Sequence, residues 1–181
     1  PAKQGRDALK VEWDTSTVTK PDTAQLLTQY RELAAKPGNV AMQADMAPLA
    51  GAAHKISAEF VFPYLAHAPM EPLNCTVRIG PDSCELWVGT QFQTVEQNAA
   101  AAITGLKPEQ VTVHTPFLGG AFGRRATATA DVVSEAVHVA KAAGAPVKTV
   151  WTREDDTRGG YYRPMFLERA AIALGDDGLP V

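Results

Sequence analysis

Residues 118–125 read Leu-Gly-Gly-Ala-Phe-Gly-Arg-Arg. Three glycines within five residues let a backbone approach a ligand closely or take φ > 0. Free N–H groups between a strand end and a helix start, with arginines beside them, suit a phosphate or another anion. Phe122 at the tip could shield or stack on a flat group. Two nucleotide signatures fail. A P-loop requires G-x-x-x-x-G-K-[ST], but counting from Gly119 the sixth residue is Arg124, and no Lys-Ser or Lys-Thr pair follows. The dinucleotide fingerprint G-x-G-x-x-G meets Ala121 at its third place and Arg124 at its sixth. The residue types leave a packing reading open as well: a tight turn with a buried phenylalanine and solvated arginines.

Other chemistry-bearing residues are scattered. His67 and Glu71 stand four apart in a proline-bracketed loop, where they could line a funnel, bind a metal, orient the loop or pair with each other. His54, His114 and His138 fall on expected strands and a helix and read as structural. Cys75 and Cys84 cannot make a zinc or iron–sulfur site by themselves. The run 153–158, Arg-Glu-Asp-Asp-Thr-Arg, alternates charge and reads as a solvated turn, while Trp13, Trp87 and Trp151 read as core.

The elements that must position these groups follow from periodicity. Residues 8–13 alternate as a short strand, and 22–36 places Leu26, Leu27, Tyr30, Leu33 and Ala34 on one helical face, stopped by Pro37-Gly38. Residues 38–53 read as a connecting loop. The strongest strand is 54–64, with Ile56, Ala58, Phe60 and Phe62 on one side. Strands near 74–79 and 84–89 flank Gly80–Ser83 as a hairpin, in which pairing 79 with 84 sets Cys75 opposite Val88 and argues against a disulfide. After 90–93 comes a helix with Thr94 and Gln97 as a capping box, Val95, Ala99, Ala102, Ile103 and Leu106 on one face, and Gly105 as its left-handed cap. A strand at 110–115 leads into the glycine turn. A helix at about 127–143 carries Val132, Val133, Ala136, Val137 and Ala140 and ends at Gly144, before strands at 147–151 and 165–174. One hairpin and two strand–helix–strand passages imply an α+β fold, a mixed sheet with helices packed on it.

Composition narrows the classes. With 45% hydrophobic and 20% charged residues the 181-residue chain is ordered and globular in type. A formal net charge of −3 and a pI near 5.8 offer no electrostatic case for nucleic acid. No apolar run reaches the roughly 20 residues a spanning helix requires, and the opening residues lack the order of regions of a signal peptide. The start without methionine and the turn at Asp176-Asp177-Gly178 lead us to expect a piece of a longer polypeptide, with 1–181 a single fragment of one domain and 38–53 its internal connector.

Taken together with Thr90-Gln91, the turn resembles the molybdenum-cofactor-binding subunit of the xanthine oxidase and aldehyde oxidoreductase family. That family has a Thr-Gln pair at a strand end, a helix, a strand and then a G-G-G-F-G turn. Here Phe122 follows Gln91 by 31 positions, matching the family interval. The arginines after the turn and the stretch 67–79 resemble the large subunit of the isoquinoline 1-oxidoreductase-like branch, with cytochrome-linked aldehyde dehydrogenases and nicotinate dehydrogenases nearby.

The resemblance implies roles residue by residue. Gln91 matches the glutamine whose amide hydrogen-bonds an oxo ligand of molybdenum. Gly120, Ala121, Phe122 and Gly123 match the turn that packs against the metal's surroundings and the pterin, and Arg124 or Arg125 could approach a cofactor phosphate, with at least one of them solvated. Ala121 replaces the third glycine, which requires a negative φ there. The Lys-Glu pair of the purine-oxidising members is Arg125-Ala126 here, which disfavours purines. The family's general-base glutamate lies past Val181, so no catalytic residue is expected within the chain, and no residue is expected to ligate the metal directly. The implied whole is an oxidoreductase subunit carrying molybdenum–molybdopterin, in the cytosine dinucleotide form. It hydroxylates an N-heterocycle or aldehyde carbon with water-derived oxygen, while electrons leave through a 2Fe–2S partner subunit and pass to a cytochrome c acceptor. Localisation is not written in the residues; the resemblance implies a periplasmic or membrane-associated protein. The alternative is a non-catalytic anion-binding or interaction domain.

Overall fold

The computed structural model describes residues 1–181. Its elements run α1 (Ala2–Asp7), α2 (Thr23–Ala34), α3 (Ala47–Gly51), β1 (His54–Phe62), β2 (Asn74–Ile79), β3 (Cys84–Val88), α4 (Gln93–Thr104), a 3-10 turn (Pro108–Gln110), β4 (Val111–His114), α5 (Asp131–Ala143), β5 (Val147–Val150), α6 (Arg153–Arg158) and β6 (Phe166–Leu174). No helix is long and apolar enough to cross a membrane. The chain forms two compact units: 62–165, and 1–61 together with 166–181.

The first of these units carries a four-stranded mixed sheet ordered β4-β3-β2-β5. The hairpin forms in the expected register, Ile79 opposite Cys84 and Cys75 opposite Val88, and both cysteines are buried and free. Strand β3 pairs parallel with β4 through α4, and β5 closes the other edge antiparallel to β2. Alternation sends Cys75, Val77, Leu86 and Val88 to one face, where they meet Ala100 and Ala101 of α4 and Val133, Ala136, Val137 and Ala140 of α5 in a single core. The apolar stripe of α5 is the one its sequence period specifies, and Gly105 (φ +82°) and Gly144 (φ +62°) cap α4 and α5 in the left-handed region.

The second unit pairs β1 with β6. Glu59 on β1 accepts from both Arg31 of α2 and Arg169 of β6.

Several expectations are corrected. Residues 8–13 form no strand: their alternation finds no partner edge, and Trp13 is 81% exposed rather than core. The 38–53 connector contains α3. The Thr94–Gln97 capping box is absent because α4 starts earlier, with Phe92 at its N-cap, and the Gln97 amide instead donates to the carbonyls of Pro108 and Val111. The charged run 153–158 is helix α6, begun by a reciprocal box between Thr152 and Asp155, and its Asp156 is buried.

Leu86 is fully buried at the centre of the core. Leu86→Ala should lower unfolding free energy by about 2–5 kcal/mol, read as a shifted denaturation midpoint at unchanged slope. A loss under about 1 kcal/mol would mean that the sheet and helices do not close over this position.

Candidate functional site

Strand β3 ends at Val88, and the next three residues leave the sheet toward α4. Here the Thr90 hydroxyl accepts from the Phe92 N–H, which turns the chain and directs Gln91 outward. On the far side of α4 and β4, the chain returns through 115–118 and makes the glycine turn. The two ends meet. The Gly123 N–H donates to Gln91 Oε1 at 3.0 Å, and the Gln91 N–H donates to the Arg125 carbonyl at 3.0 Å.

The first of these bonds fixes the amide. With its oxygen committed to a backbone donor, Gln91 must present Nε2 outward, as a neutral donor with no protein acceptor. The N–H groups of Gly120, Ala121 and Phe122 likewise make no bond within the protein, while those of Gly119 and Gly123 are taken by Glu71 and Gln91. Free successive amides in a turn form a concave set of donors.

Phe122 sits at φ +54°, between Gly120 at +105° and Gly123 at +92°, whereas Ala121 lies outside the positive-φ region, as its β-carbon demands. A bulky residue in the left-handed region costs of order 1–2 kcal/mol. No burial of the ring offsets it, since Phe122 is 72% exposed. At Gly123 a β-carbon would meet nothing within 4 Å, so this glycine serves backbone shape and open approach rather than packing.

The arginines invert the packing expectation. Neither is solvated: Arg124 is 3% and Arg125 5% exposed. Buried guanidinium requires acceptors, and the fold supplies them. Arg124 forks onto Asp131 of α5 at 2.7 and 3.1 Å, and the Thr127 hydroxyl donates to the same carboxylate. Although burial pushes the Asp131 pKa up, these bonds hold it below its usual value. The guanidinium of Arg124 therefore faces inward to the helix start and not toward the open side of the turn; its Nε alone has no partner. Arg125 donates to the carbonyls of Gly120, Gly89 and Glu71 and to the Glu71 carboxylate.

His67 and Glu71 do not pair. Glu71 accepts from the Gly119 N–H at 2.7 Å and from Asn74; His67 Nδ1 is buried without a partner, and burial, then the charges of Arg124 and Arg163, lower its pKa. No three His, Cys, Asp or Glu side chains converge to hold a metal ion. Burial, with Glu96 and Cys84 adding to it, pushes the Cys75 thiol up to about 12, leaving it inert. His114 stacks on Trp87, their ring centroids 4.8 Å apart, and Trp151 donates to Glu135.

Sequence reasoning missed Asp131, seven residues past Arg124 with no periodic link to it, and Glu96. Glu96 lies in the first turn of α4 beneath Thr90. Burial pushes its carboxyl up to about 7 against the opposing pull of Thr90 and Arg125, and its Oε2 has no partner. A buried acid behind an outward-facing amide has no signature in a single sequence.

A family model of the molybdopterin cofactor-binding domain matches residues 32–179. The chain belongs to the molybdopterin cofactor-binding domain family. It is 44% identical over 108 residues to the isoquinoline 1-oxidoreductase subunit beta of Brevundimonas diminuta, covering 59% of this chain and 14% of that one. It is 29% identical over 178 residues to the membrane-bound aldehyde dehydrogenase (pyrroloquinoline-quinone) of Gluconacetobacter polyoxogenes, covering 96% of this chain and 23% of the relative. The chain thus spans less than a quarter of the length of either relative. Its fold is shared with quinoline 2-oxidoreductase of Pseudomonas putida 86, with a TM-score of 0.63 at 21% identity over 76% of this chain and 18% of that one. Aldehyde oxidoreductase of Desulfovibrio gigas gives 0.60 at 23% identity, over 76% and 15%.

The cradle's donor set suits the family's cofactor: one oriented neutral amide, three free backbone N–H groups and an exposed ring are what an oxygen-rich, flat group can use.

Glu96 generates a pH prediction. Its folded pKa, about 7, lies above the ordinary 4.5, so the folded state holds the proton more tightly. The associated stability is full below about pH 4.5 and lost as pH rises through 7, by about 3 kcal/mol at most. Glu96→Gln should flatten this segment of the stability–pH curve and raise stability above pH 7. A variant whose curve parallels the parent's would remove Glu96 from the account.

Proposed function

We propose that this chain is part of the molybdenum-cofactor-binding subunit of an oxidoreductase that hydroxylates an aldehyde or N-heterocycle carbon. The observation that carries the reading is the meeting of Gln91 with the 119–123 turn, 31 residues apart in sequence from Gln91 to Phe122, through a bond that leaves the amide donor free. Membership of the molybdopterin cofactor-binding family supports it, as do the names of the relatives, which specify N-heterocycle and aldehyde oxidation.

In this reading Gln91 Nε2 donates to an oxygen of the molybdenum centre. Because the donor is neutral, it orients the group without adding charge to it. The N–H groups of Gly120, Ala121 and Phe122 and the bare backbone at Gly123 receive the cofactor's edge, and the Phe122 ring covers a face of it and keeps water from that side. The bound group supplies the redox chemistry, R–H plus water giving R–OH, two protons and two electrons. Arg124, committed to Asp131, serves the turn's shape rather than a cofactor phosphate. The rest of the same large subunit contributes the general-base glutamate and the remaining walls. A 2Fe–2S partner subunit takes the electrons toward a cytochrome c acceptor, and the cofactor is the cytosine dinucleotide form. Placement in the periplasm or at the membrane accords with the membrane-bound relative. The substrate is a small aromatic heterocycle or aldehyde, and Ala126 in place of a purine-gripping glutamate disfavours purines.

The test uses the full-length polypeptide with its partner subunit. Molybdenum and pterin should copurify in about stoichiometric amount with the parent, and Gln91→Ala should lower turnover about 10- to 100-fold, the range for groups that orient a metal's surroundings, with little change in melting temperature. Phe122→Ala should lower molybdenum retention. Absence of metal and pterin from anaerobically purified parent would overturn the reading in favour of a binding domain, and a melting shift large enough to explain the Gln91→Ala activity loss would make Gln91 a structural residue.

A further inference from the structure

The glycine turn, the strand end carrying Gln91 and the proline-bracketed loop at 65–73 are three separate segments, and only a few contacts decide how they sit. One side chain touches all three. Arg125, its side chain 2% exposed, donates Nε to the Gly120 carbonyl at 3.0 Å, Nη1 to the Gly89 carbonyl at 3.1 Å, and Nη2 to the Glu71 carbonyl at 3.1 Å and carboxylate at 3.2 Å. Glu71 returns the connection: its carboxylate accepts from the Gly119 N–H at 2.7 Å, its own N–H donates to the Gly119 carbonyl at 3.1 Å, and Asn74 holds its other oxygen at 2.7 Å. The approach is close enough that a β-carbon at Gly119 would lie 2.6 Å from Glu71 Cβ, and one at Gly89 would lie 2.7 Å from Leu118 Cβ and 3.3 Å from Arg125 Nη1.

We propose that Glu71 and Arg125 form a clamp that sets the register between Gln91 and the 119–123 turn, and are therefore positioning residues of the cofactor cradle. This rests on the functional reading above. Four donations in fixed directions need the planar guanidinium fork; a lysine keeps the charge but cannot reach three carbonyls from one nitrogen. The carboxylate is equally particular. One Glu71 oxygen serves Gly119 and Arg125, the other Asn74, so a glutamine at 71 must turn its NH2 against a donor on one side or the other. The clamp reaches Gly123 only through the backbone that it holds: the Gln91 N–H bonds to the Arg125 carbonyl, and Gln91 Oε1 then takes the Gly123 N–H. Arg124, equally buried, instead ties the turn to α5 through Asp131 and provides a comparison in which burial and charge are matched but the three-segment contact is absent.

The test is made in the full-length polypeptide with its partner subunit, on Glu71→Gln, Arg125→Lys and Arg124→Lys. Three quantities are measured: amide hydrogen exchange at Gly123, molybdenum per polypeptide by elemental analysis, and melting temperature. Gly123 makes no hydrogen bond to either clamp side chain, so a merely local packing role would leave its exchange unmoved. Both clamp variants should speed Gly123 exchange about tenfold or more relative to the parent and reduce molybdenum content by more than Arg124→Lys does at a comparable melting shift. Glu71→Gln, nearly isosteric, keeps the question decidable should Arg125→Lys not fold. Gly123 exchange at the parental rate in Glu71→Gln would overturn the clamp whatever the metal content. A parent that holds no molybdenum would sink the functional reading alone, and the exchange arm would still decide the clamp.

Discussion

A guanidinium removed from water must find acceptors for its donors, and this requirement organises the functional end of the molecule. Arg125 finds them in three backbone carbonyls and one carboxylate drawn from segments far apart in sequence. Leaving a buried donor or charge unsatisfied costs several kcal/mol, so the carbonyls of Gly89, Gly120 and Glu71 are held toward one point. The strand end that carries Gln91 and the turn that carries Phe122 then have little freedom to drift apart. The sheet and helices beneath supply the rigid base: Gly89 directly follows β3, and Asp131, the partner of Arg124, opens α5.

The local strain is consistent with this arrangement. Phe122 occupies the left-handed region without burying its ring, a cost that packing does not repay; the Arg124 N–H bond to the Ala121 carbonyl closes the turn around it. Elsewhere in the chain, positive φ falls mostly on glycine, at the ends of helices and in turns. In the turn itself the aromatic group is displayed and the charges are withdrawn, the reverse of what residue types alone would suggest. An observed outlier of this kind points from structure to use, because a fold with no ligand to serve could place a glycine at 122 and lose the strain.

What could be read from sequence was what is decided locally. The hairpin register followed from the turn at Gly80–Ser83, the face of α5 from its 3.6-residue period, and the ends of α4 and α5 from glycine's tolerance of positive φ. The strand reading at 8–13 failed because alternation only permits a strand and a partner edge has to supply it. Helix α6 is the opposite case: its alternating charge suggests a solvated turn, while the Thr152–Asp155 box, a local signal, specifies a helix start. Within the site, Gln91 and the turn were joined by the family interval, whereas the burial of both arginines was out of reach. Arginine is rarely buried, and its acceptors here are mostly carbonyls, which every residue carries and no sequence pattern marks.

The distribution of charge across the site has a consequence for what it can bind. Arg124 and Arg125 are paired with Asp131 and Glu71 inside the protein, so neither arginine of the turn offers an uncompensated guanidinium to its open side. What remains outward is neutral: the Gln91 amide, three backbone N–H groups and an aromatic ring. A free arginine here would attract any phosphate or carboxylate at long range and hold it with little regard for shape. Oriented neutral donors act over one hydrogen-bond length and discriminate by geometry. They also leave the electron demand of a bound redox group to that group and its own ligands. The buried charges therefore act as fasteners, and selectivity passes to the amide and the backbone, whose directions those fasteners fix.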